Sequence, residues 1–285
     1  MRLVFKFWTV CSLCVSAILV DAVVNTDAHA AGVDRWQLGF QEAVTPVMRL
    51  INDFHNLLLV ITFAIAILVF ALLIYCLIRF NAKANPVPSA TTHNTLIEIL
   101  WTIVPIIILM VIAVPSIKLL YLQREIPKAD FTIKAIGNQW NWTYEYPDHG
   151  GFSFTSFMVE DKNLKQGQPR LLAVDNNVVV PVGKTIRVIV TASDVIHDWA
   201  IPAFGIKMDG VPGRLNETWF KVEKPGIYYG QCSELCGEKH SFMPIAVEVV
   251  SEQKFNEWVA QAKKKFAANP EPARVITTRL VATAK

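Results

Sequence analysis

Charge is scarce in this sequence. Asp, Glu, Lys and Arg make up 18% of its 285 residues, against 53% hydrophobic residues, and its mean hydropathy is +0.35. Such a balance excludes an ordinary soluble chain and points to segments that cross a membrane. Two stretches hold no charged residue at all: Phe54–Ile78, 25 residues, and Ile99–Ile117, 19 residues. Both are long enough to cross a bilayer as helices, with spans at about 54–78 and 97–120. Pro105 and Pro115 are tolerable in a membrane helix. The connecting loop, RFNAKANPVPSATTHNT, lacks acids but carries Arg79 and Lys83. That bias places the loop in the cytoplasm and both flanking segments outside. Also absent are an internal repeat, a phosphate-binding glycine loop and a nucleophile constellation, and no nucleic-acid partner is expected.

Cysteine is sparse as well, and the five present divide by placement. Cys11 and Cys14 fall in MRLVFKFWTVCSLCVSAILV, where Arg2 and Lys6 precede an apolar stretch and Ala28–Ala30 supply small residues further on. This reads as a secretory signal peptide, residues 1–30, removed before Ala31; a retained first anchor is the plainer alternative. The segment 31–122 then holds the membrane hairpin. Cys76 lies inside an apolar run and reads as a small buried hydrophobe. Only Cys232 and Cys236 stand in polar sequence, where an exported pair could form a disulfide. Glu98, at the cytoplasmic edge of the second span, is either a snorkelling residue or a functional one facing protein or water.

From Phe131 the hydrophobic period changes to two. In QWNWTYEYP the aromatics Trp140, Trp142, Tyr144 and Tyr146 fall on one strand face, with Gln139, Asn141, Thr143 and Glu145 on the other. NNVVVPVGKTIRVIVTAS, WFKVEKPGIYYG and PIAVEVV are also strand-like and are broken by Gly and Pro. Short strands at this spacing predict an antiparallel sandwich or barrel over residues 123–267. An amphipathic helix with Ser251 as its N-cap closes that domain, and a basic, proline-containing tail, 268–285, follows. Residues 125–250 carry 12 Lys/Arg against 15 Asp/Glu, and residues 251–285 carry 7 against 3. Most of the acids dress a solvated surface, but a clustered subset would steer a basic partner.

The chemistry-bearing stretch is GQCSELCGEKHSFMP, Gly230–Pro244. Cys232, Cys236 and His240 step by four, with Met243 three further on. Structural zinc takes four N/S ligands, so a distant second histidine is worth seeking. His197, in ASDVIHDWAIP, ends a strand-like run of the same domain and is the best candidate; taken by itself it reads as a satisfied structural histidine. Two cysteines, two histidines and a methionine exceed what zinc needs. A mononuclear blue-copper site uses one cysteine, two histidines and an axial methionine; the set here has one thiolate more. Two thiolates can bridge two copper ions, each keeping one histidine. The balance leans to copper, and zinc and a disulfide stay open on spacing alone.

With those residues in view, the chain resembles subunit II of the haem–copper cytochrome c oxidases, of bacterial type. Four stretches carry the likeness in family order over about residues 40–260: LIEILWTIVPIIIL, GNQWNWTYEY, SDVIHDWAIPAFGIKMDGVPGRLNET and GIYYGQCSELCGEKHSFMPI. The resemblance implies a two-helix transmembrane hairpin plus an all-β cupredoxin-like Greek-key barrel. It implies the dinuclear copper A centre, bridged by Cys232 and Cys236. His197 and His240 would each hold one copper, Met243 being axial to one ion and the Glu234 carbonyl to the other. The Glu234 carboxylate would reach a magnesium or manganese ion shared with subunit I, a hard ligand for a hard ion. Trp140 corresponds to the family's electron-accepting tryptophan, and Glu98 to the acid at the mouth of a proton pathway. Glu145, Asp175 and Asp194 correspond to acids that dock cytochrome c, while Asp209 and Arg214 fall where the family faces subunit I. PDHGGFS departs from relatives that add acids there, so docking would be weaker or differently shaped. The implied partners are subunit I, the other oxidase subunits, cytochrome c and the bacterial inner membrane, with the C-terminal domain periplasmic.

Three rivals set the terms of comparison. A quinol oxidase subunit of this fold would lack the cysteine pair. Nitrous-oxide reductase resembles the motif but lacks a membrane hairpin. A tethered copper- or zinc-binding module without a redox role has no need of Trp140 or Glu98.

Overall fold

The computed structural model describes residues 37–266 except Pro88; the expected signal peptide and basic tail lie outside the described residues. Two long helices come first. Helix α1, Pro46–Arg79, starts at Thr45, whose hydroxyl accepts the Met48 amide at 3.1 Å, with Pro46 in the first turn. Helix α2, Thr95–Arg124, starts at Asn94, whose side chain accepts the Ile97 amide at 3.2 Å, and runs through Pro105 and Pro115. Both exceed the charge-free spans. At about 1.5 Å per residue they run to about 50 and 45 Å, against about 30 Å of hydrocarbon. The excess has a use at the outer end, where Val47 and Met48 are buried. Between the ends, Ile67, Phe70, Ile103 and Leu109 are among many apolar side chains left exposed, as lipid or partner helices require.

Ten strands follow: β1 Phe131–Asn138, β2 Asn141–Tyr146, β3 Phe152–Ser156, β4 Val178–Pro181, β5 Thr185–Ala192, β6 His197–Ile201, β7 Ile206–Gly210, β8 Asn216–Lys221, β9 Gly226–Cys232 and β10 Pro244–Val250. They form two five-stranded sheets, ordered β3-β2-β1-β5-β8 and β4-β10-β9-β6-β7. The expectation of an antiparallel domain holds for most pairings and fails for two: β1 with β5, and β10 with β4, are parallel. In both, the intervening chain visits other strands before returning in the same direction. Side-chain alternation records which face a strand buries, not which way its neighbour runs.

The core lies between the sheets. Trp142, Tyr144 and Tyr146 of β2 are buried to 1% exposure or less, each worth about 4–6 kcal/mol of apolar burial. The Tyr146 hydroxyl donates to the Val179 carbonyl at 2.9 Å and accepts the Val179 amide at 3.0 Å, tying the first sheet to β4. Trp199 donates its indole N–H to the Tyr144 hydroxyl at 3.3 Å. Helix α3, Glu252–Phe266, packs Phe255, Val259 and Ala262 inward, with the Ser251 hydroxyl accepting the Lys254 amide at 3.4 Å.

Sandwich and hairpin are pinned together twice. The Thr45 hydroxyl donates to the Phe204 carbonyl at 2.7 Å, beside backbone bonds from Val44 to Ala203 and from Glu223 to Val44. Gly205, at φ +71°, lets Met48 Cα approach to 3.1 Å of where its Cβ would stand. At the end of α2, Trp219 donates its indole N–H to the Leu122 carbonyl at 3.2 Å.

Candidate metal centre

His197 opens β6 and Cys232 closes β9, and because those strands pair antiparallel the two residues meet at one end of the sandwich. The connection from β9 to β10 brings the rest: Cys236 within the loop, His240 opening a short 3-10 turn, and Met243 immediately before β10. The Sγ atoms of Cys232 and Cys236 stand 3.9 Å apart, about twice the length of a disulfide bond; the disulfide reading is set aside in this structure, and both thiols are free.

The donors divide into two half-sets around that sulfur pair. His197 Nδ1 lies 3.9 Å from Cys232 Sγ, and the Glu234 carbonyl oxygen lies 3.4 Å from the same sulfur. His240 Nδ1 and Met243 Sδ each lie 3.5 Å from Cys236 Sγ. Each imidazole and each weak donor thus meets a different thiol. The donor atoms of His197, Cys232 and Cys236 fall within 4.8 Å of one another, and His240 joins through Cys236. Six donors in two half-sets are more than a tetrahedral zinc can use. Soft thiolates and a thioether with imidazoles suit copper, and two copper ions sharing the thiolates would use every donor, so the residues present fit such a centre.

Burial shapes the site's chemistry. His197 is fully buried and Met243 is 1% exposed. Burial opposes ionisation of Cys232, yet contacts with His197 and neighbouring backbone amides outweigh it and hold this thiol below the ordinary value. The Cys236 thiol is pushed up to about 12 by burial and by the negative charge on Cys232. The metal-free Cys236 thiol therefore keeps its proton at neutral pH, and a metal ion must displace it.

Neighbouring residues hold the ligands. Asp194 Oδ1 lies 2.8 Å from His197 Nε2, which leaves Nδ1 to face the sulfurs, and Asp194 Oδ2 accepts the Gln139 amide at 2.7 Å. The Gln139 side-chain amide and the Trp140 indole N–H both donate to the Cys236 carbonyl, at 2.9 and 3.3 Å. The Trp142 indole donates to the Met243 carbonyl at 3.3 Å. Gly237, at φ +118°, permits this: its Cβ would stand 3.1 Å from both Gln139 Nε2 and Trp140 Cζ2.

The reading of four aromatics on one strand face needs correction. Trp142, Tyr144 and Tyr146 share the buried face of β2, but Trp140 precedes the strand and lies half-buried in the turn from β1. Its indole is claimed by the Cys236 carbonyl, and Lys239 Nζ sits 5.9 Å over the ring. A period-two count carries through a turn that the hydrogen bond redirects.

Other predicted residues lie apart from the donor cluster. Glu98 is in the first turn of α2, about 36 Å along the helix from Leu122 at 1.5 Å per residue. Glu145 pairs with Lys134 at 3.1 Å, and Asp175 accepts the Phe157 amide at 2.8 Å. The Glu234 side chain is exposed. Asp209 faces Asp198 across the β6–β7 ladder, and Arg214 is exposed.

The places of Gln139, Gly237 and Asp198 beside the donor cluster escaped the sequence reading. Asp198 is 1% exposed, with one carboxylate oxygen unpartnered and the other 3.2 Å from Lys207 Nζ. Burial, with Asp209 adding to it, pushes its carboxyl up to about 6. An acid following a ligand histidine was the available signal.

Two membrane-length helices joined to a two-sheet sandwich, with two thiols, two imidazoles and a thioether gathered where β6 and β9 meet, define a membrane-anchored metalloprotein of cupredoxin type. The family model for the cytochrome C oxidase subunit II periplasmic domain matches residues 131–250, and that for its transmembrane domain matches residues 33–119. A "probable cytochrome c oxidase subunit 2" of Rickettsia bellii is 55% identical over 240 residues, covering 84% of this chain and 89% of its own. The cytochrome c oxidase subunit 2 of Arabidopsis thaliana is 49% identical over 249 residues, 85% of this chain and 96% of its own. A crystal structure of the periplasmic domain of cytochrome oxidase subunit II from Bradyrhizobium japonicum is 63% identical, covering 50% of this chain and 99% of its own at a TM-score of 0.47. The chain belongs to the cytochrome c oxidase subunit II family. It is a bacterial inner-membrane subunit of that enzyme, assembled with the other oxidase subunits, and the oxygen-reducing site lies in subunit I.

Proposed function

We propose that this subunit receives electrons from cytochrome c at a dinuclear copper centre and delivers them towards haem in subunit I, where oxygen is reduced and protons are pumped. The observation that carries the reading is the division of six donors into two half-sets around a sulfur pair 3.9 Å apart. Cys232, Cys236, His197 and His240 would hold the copper, with Met243 and the Glu234 carbonyl as the weaker donors. When bound, the copper pair supplies a one-electron carrier whose bonds change little on reduction, because the electron is shared over both ions.

The chain's own residues do the rest. Burial of His197, Cys232, Cys236 and Met243 excludes water, and Asp194 holds the His197 ring. Trp140 is the electron-accepting residue: it is partly exposed, and its indole is hydrogen-bonded to the backbone of a bridging cysteine. Glu145, Asp175 and Asp194 form the docking acids for a basic cytochrome c. Asp175 accepts only a neutral backbone amide, whereas Glu145 is paired with Lys134. The exposed Glu234 carboxylate would offer a hard oxygen ligand to a magnesium or manganese ion shared with subunit I, and Glu98 would open a proton pathway.

Metal analysis of the purified full-length chain after copper loading tests the centre: two copper ions per chain are expected, falling to one or none in Cys232→Ser and Cys236→Ser. One zinc or one copper per wild-type chain contradicts the reading.

A further inference from the structure

We propose that Gly137 is a positioning residue for this centre: by lacking a side chain it sets where the His197 imidazole stands. The inference rests on the copper reading for its functional meaning, though not for its geometry. The inward face of β1 runs Phe131, Ile133, Ala135, Gly137, shrinking step by step towards the site. The space left at the last step is filled by the ring of His197. A Cβ placed on Gly137 would stand 2.7 Å from His197 Cδ2 and Cγ and 2.8 Å from His197 Cβ. Its φ lies outside the left-handed region, so alanine would strain no backbone torsion; the obstacle is contact alone.

What must yield is decided by what is fixed. Gly137 is paired on both sides, with Trp142 of β2 and Ala192 of β5, and its carbonyl accepts the Ser193 amide at 3.0 Å. His197 is held through its backbone opposite Gly210 of β7. Gly210 is itself pressed on β5, with Thr191 O 2.6 Å from where its Cβ would lie. Side-chain torsions can carry Cγ and Cδ2 away but leave Cβ where the β6 backbone sets it, so relief takes a shift of His197 on its strand together with the ring. Relieving the contact from 2.7 Å to an ordinary 3.4 Å moves the ring by about 0.7 Å. Metal–ligand distances tolerate about 0.2 Å, and functional constellations about 0.5 Å. The ring has little room to retreat, since Trp142 packs against it at 6.0 Å between centroids and Asp194 holds Nε2 at 2.8 Å.

The test compares full-length wild type and Gly137→Ala by copper titration, electron paramagnetic resonance of the loaded chain, and histidine-labelled NMR of the metal-free chain. The variant is expected to keep its circular dichroism, to show shifted His197 ring signals, to bind copper about 10- to 100-fold more weakly, and to show altered hyperfine coupling. A folded variant with unmoved His197 signals and an unchanged copper spectrum overturns the proposal. If Gly137→Ala does not fold, the double variant Gly137→Ala/His197→Gly decides, because the His197 Cβ is itself 2.8 Å from the added carbon. Removing the imidazole with its Cβ should return folding to the level of His197→Gly, and failure to do so places the clash elsewhere and refutes the proposal. A wild-type chain that takes up no copper pair refutes the copper reading instead, and the His197 signals then decide the role of Gly137.

Discussion

Asp194 combines two roles at the residue scale. As a proposed docking acid it would belong to the surface that receives cytochrome c, yet both its oxygens are engaged within the chain, on His197 and on the Gln139 and Val195 amides. Removing it frees the ring that carries a ligand atom. Asp194→Ala is expected to weaken copper binding about 10- to 100-fold, read by competition against a chelator. A raised KM for cytochrome c with unchanged copper affinity would confine Asp194 to docking. Trp140→Phe makes the opposite separation. It keeps an aromatic ring but loses the donor to Cys236, so reduction by cytochrome c should slow in rapid mixing while the copper spectrum stays the same. Normal rates would deny Trp140 its electron-accepting role. The donor residues that the fold gathers were legible in the sequence because Cys, His and Met are rare and tightly spaced there. Gln139 and Gly137 were not, because their partners lie far along the chain, 97 residues away for Gln139 and Cys236, and no local pattern records such closeness.

Elements carry the site by their ends. The alternation in β2 correctly foretold three inward aromatics and failed at Trp140, where the strand had not begun. Missing charge marked the apolar middle of each long helix but not its full length. The helices run further because the amphipathic start of α1 is bound by the sandwich and not by lipid. That junction rests on Thr45, fully buried, which caps α1 and donates to Phe204. Thr45→Val is expected to cost about 1–3 kcal/mol by orphaning both groups, seen as a lower Tm of the full chain in detergent; an unchanged Tm would mean water replaces the hydroxyl. At the other side of the domain, His149 packs edge-on against Phe131 and Phe255, joining the turn after β2 to α3. Burial holds its imidazole below the ordinary 6.5, against the pull of Asp148 and with help from Lys263. The unfolded chain then binds a proton more readily than the folded one. Stability is fully present above pH 6.5 and declines as pH falls through that value towards the depressed one. His149→Phe should flatten that part of the Tm–pH curve, and an unaltered slope would assign it to other groups.

On the scale of the whole molecule, the chain separates two tasks along its length. The donor cluster gathers at one end of the sandwich, and Glu98 stands at the loop end of α2, about 36 Å along the helix from the junction at Leu122. Glu98→Ala in the assembled oxidase should therefore impair proton uptake and turnover while leaving reduction of copper by cytochrome c intact; full turnover would make Glu98 an interfacial residue only. The order of hairpin and sandwich was plain from hydropathy. The parallel pairings β1–β5 and β4–β10 were not, because periodicity is blind to strand direction. The central claim is that two copper ions share one unpaired electron between Cys232 and Cys236. Electron paramagnetic resonance of the copper-loaded, partly reduced full-length chain tests it most directly. Hyperfine coupling to two near-equivalent copper nuclei is predicted, and coupling to a single nucleus, or no signal in a protein that holds only zinc, would contradict it.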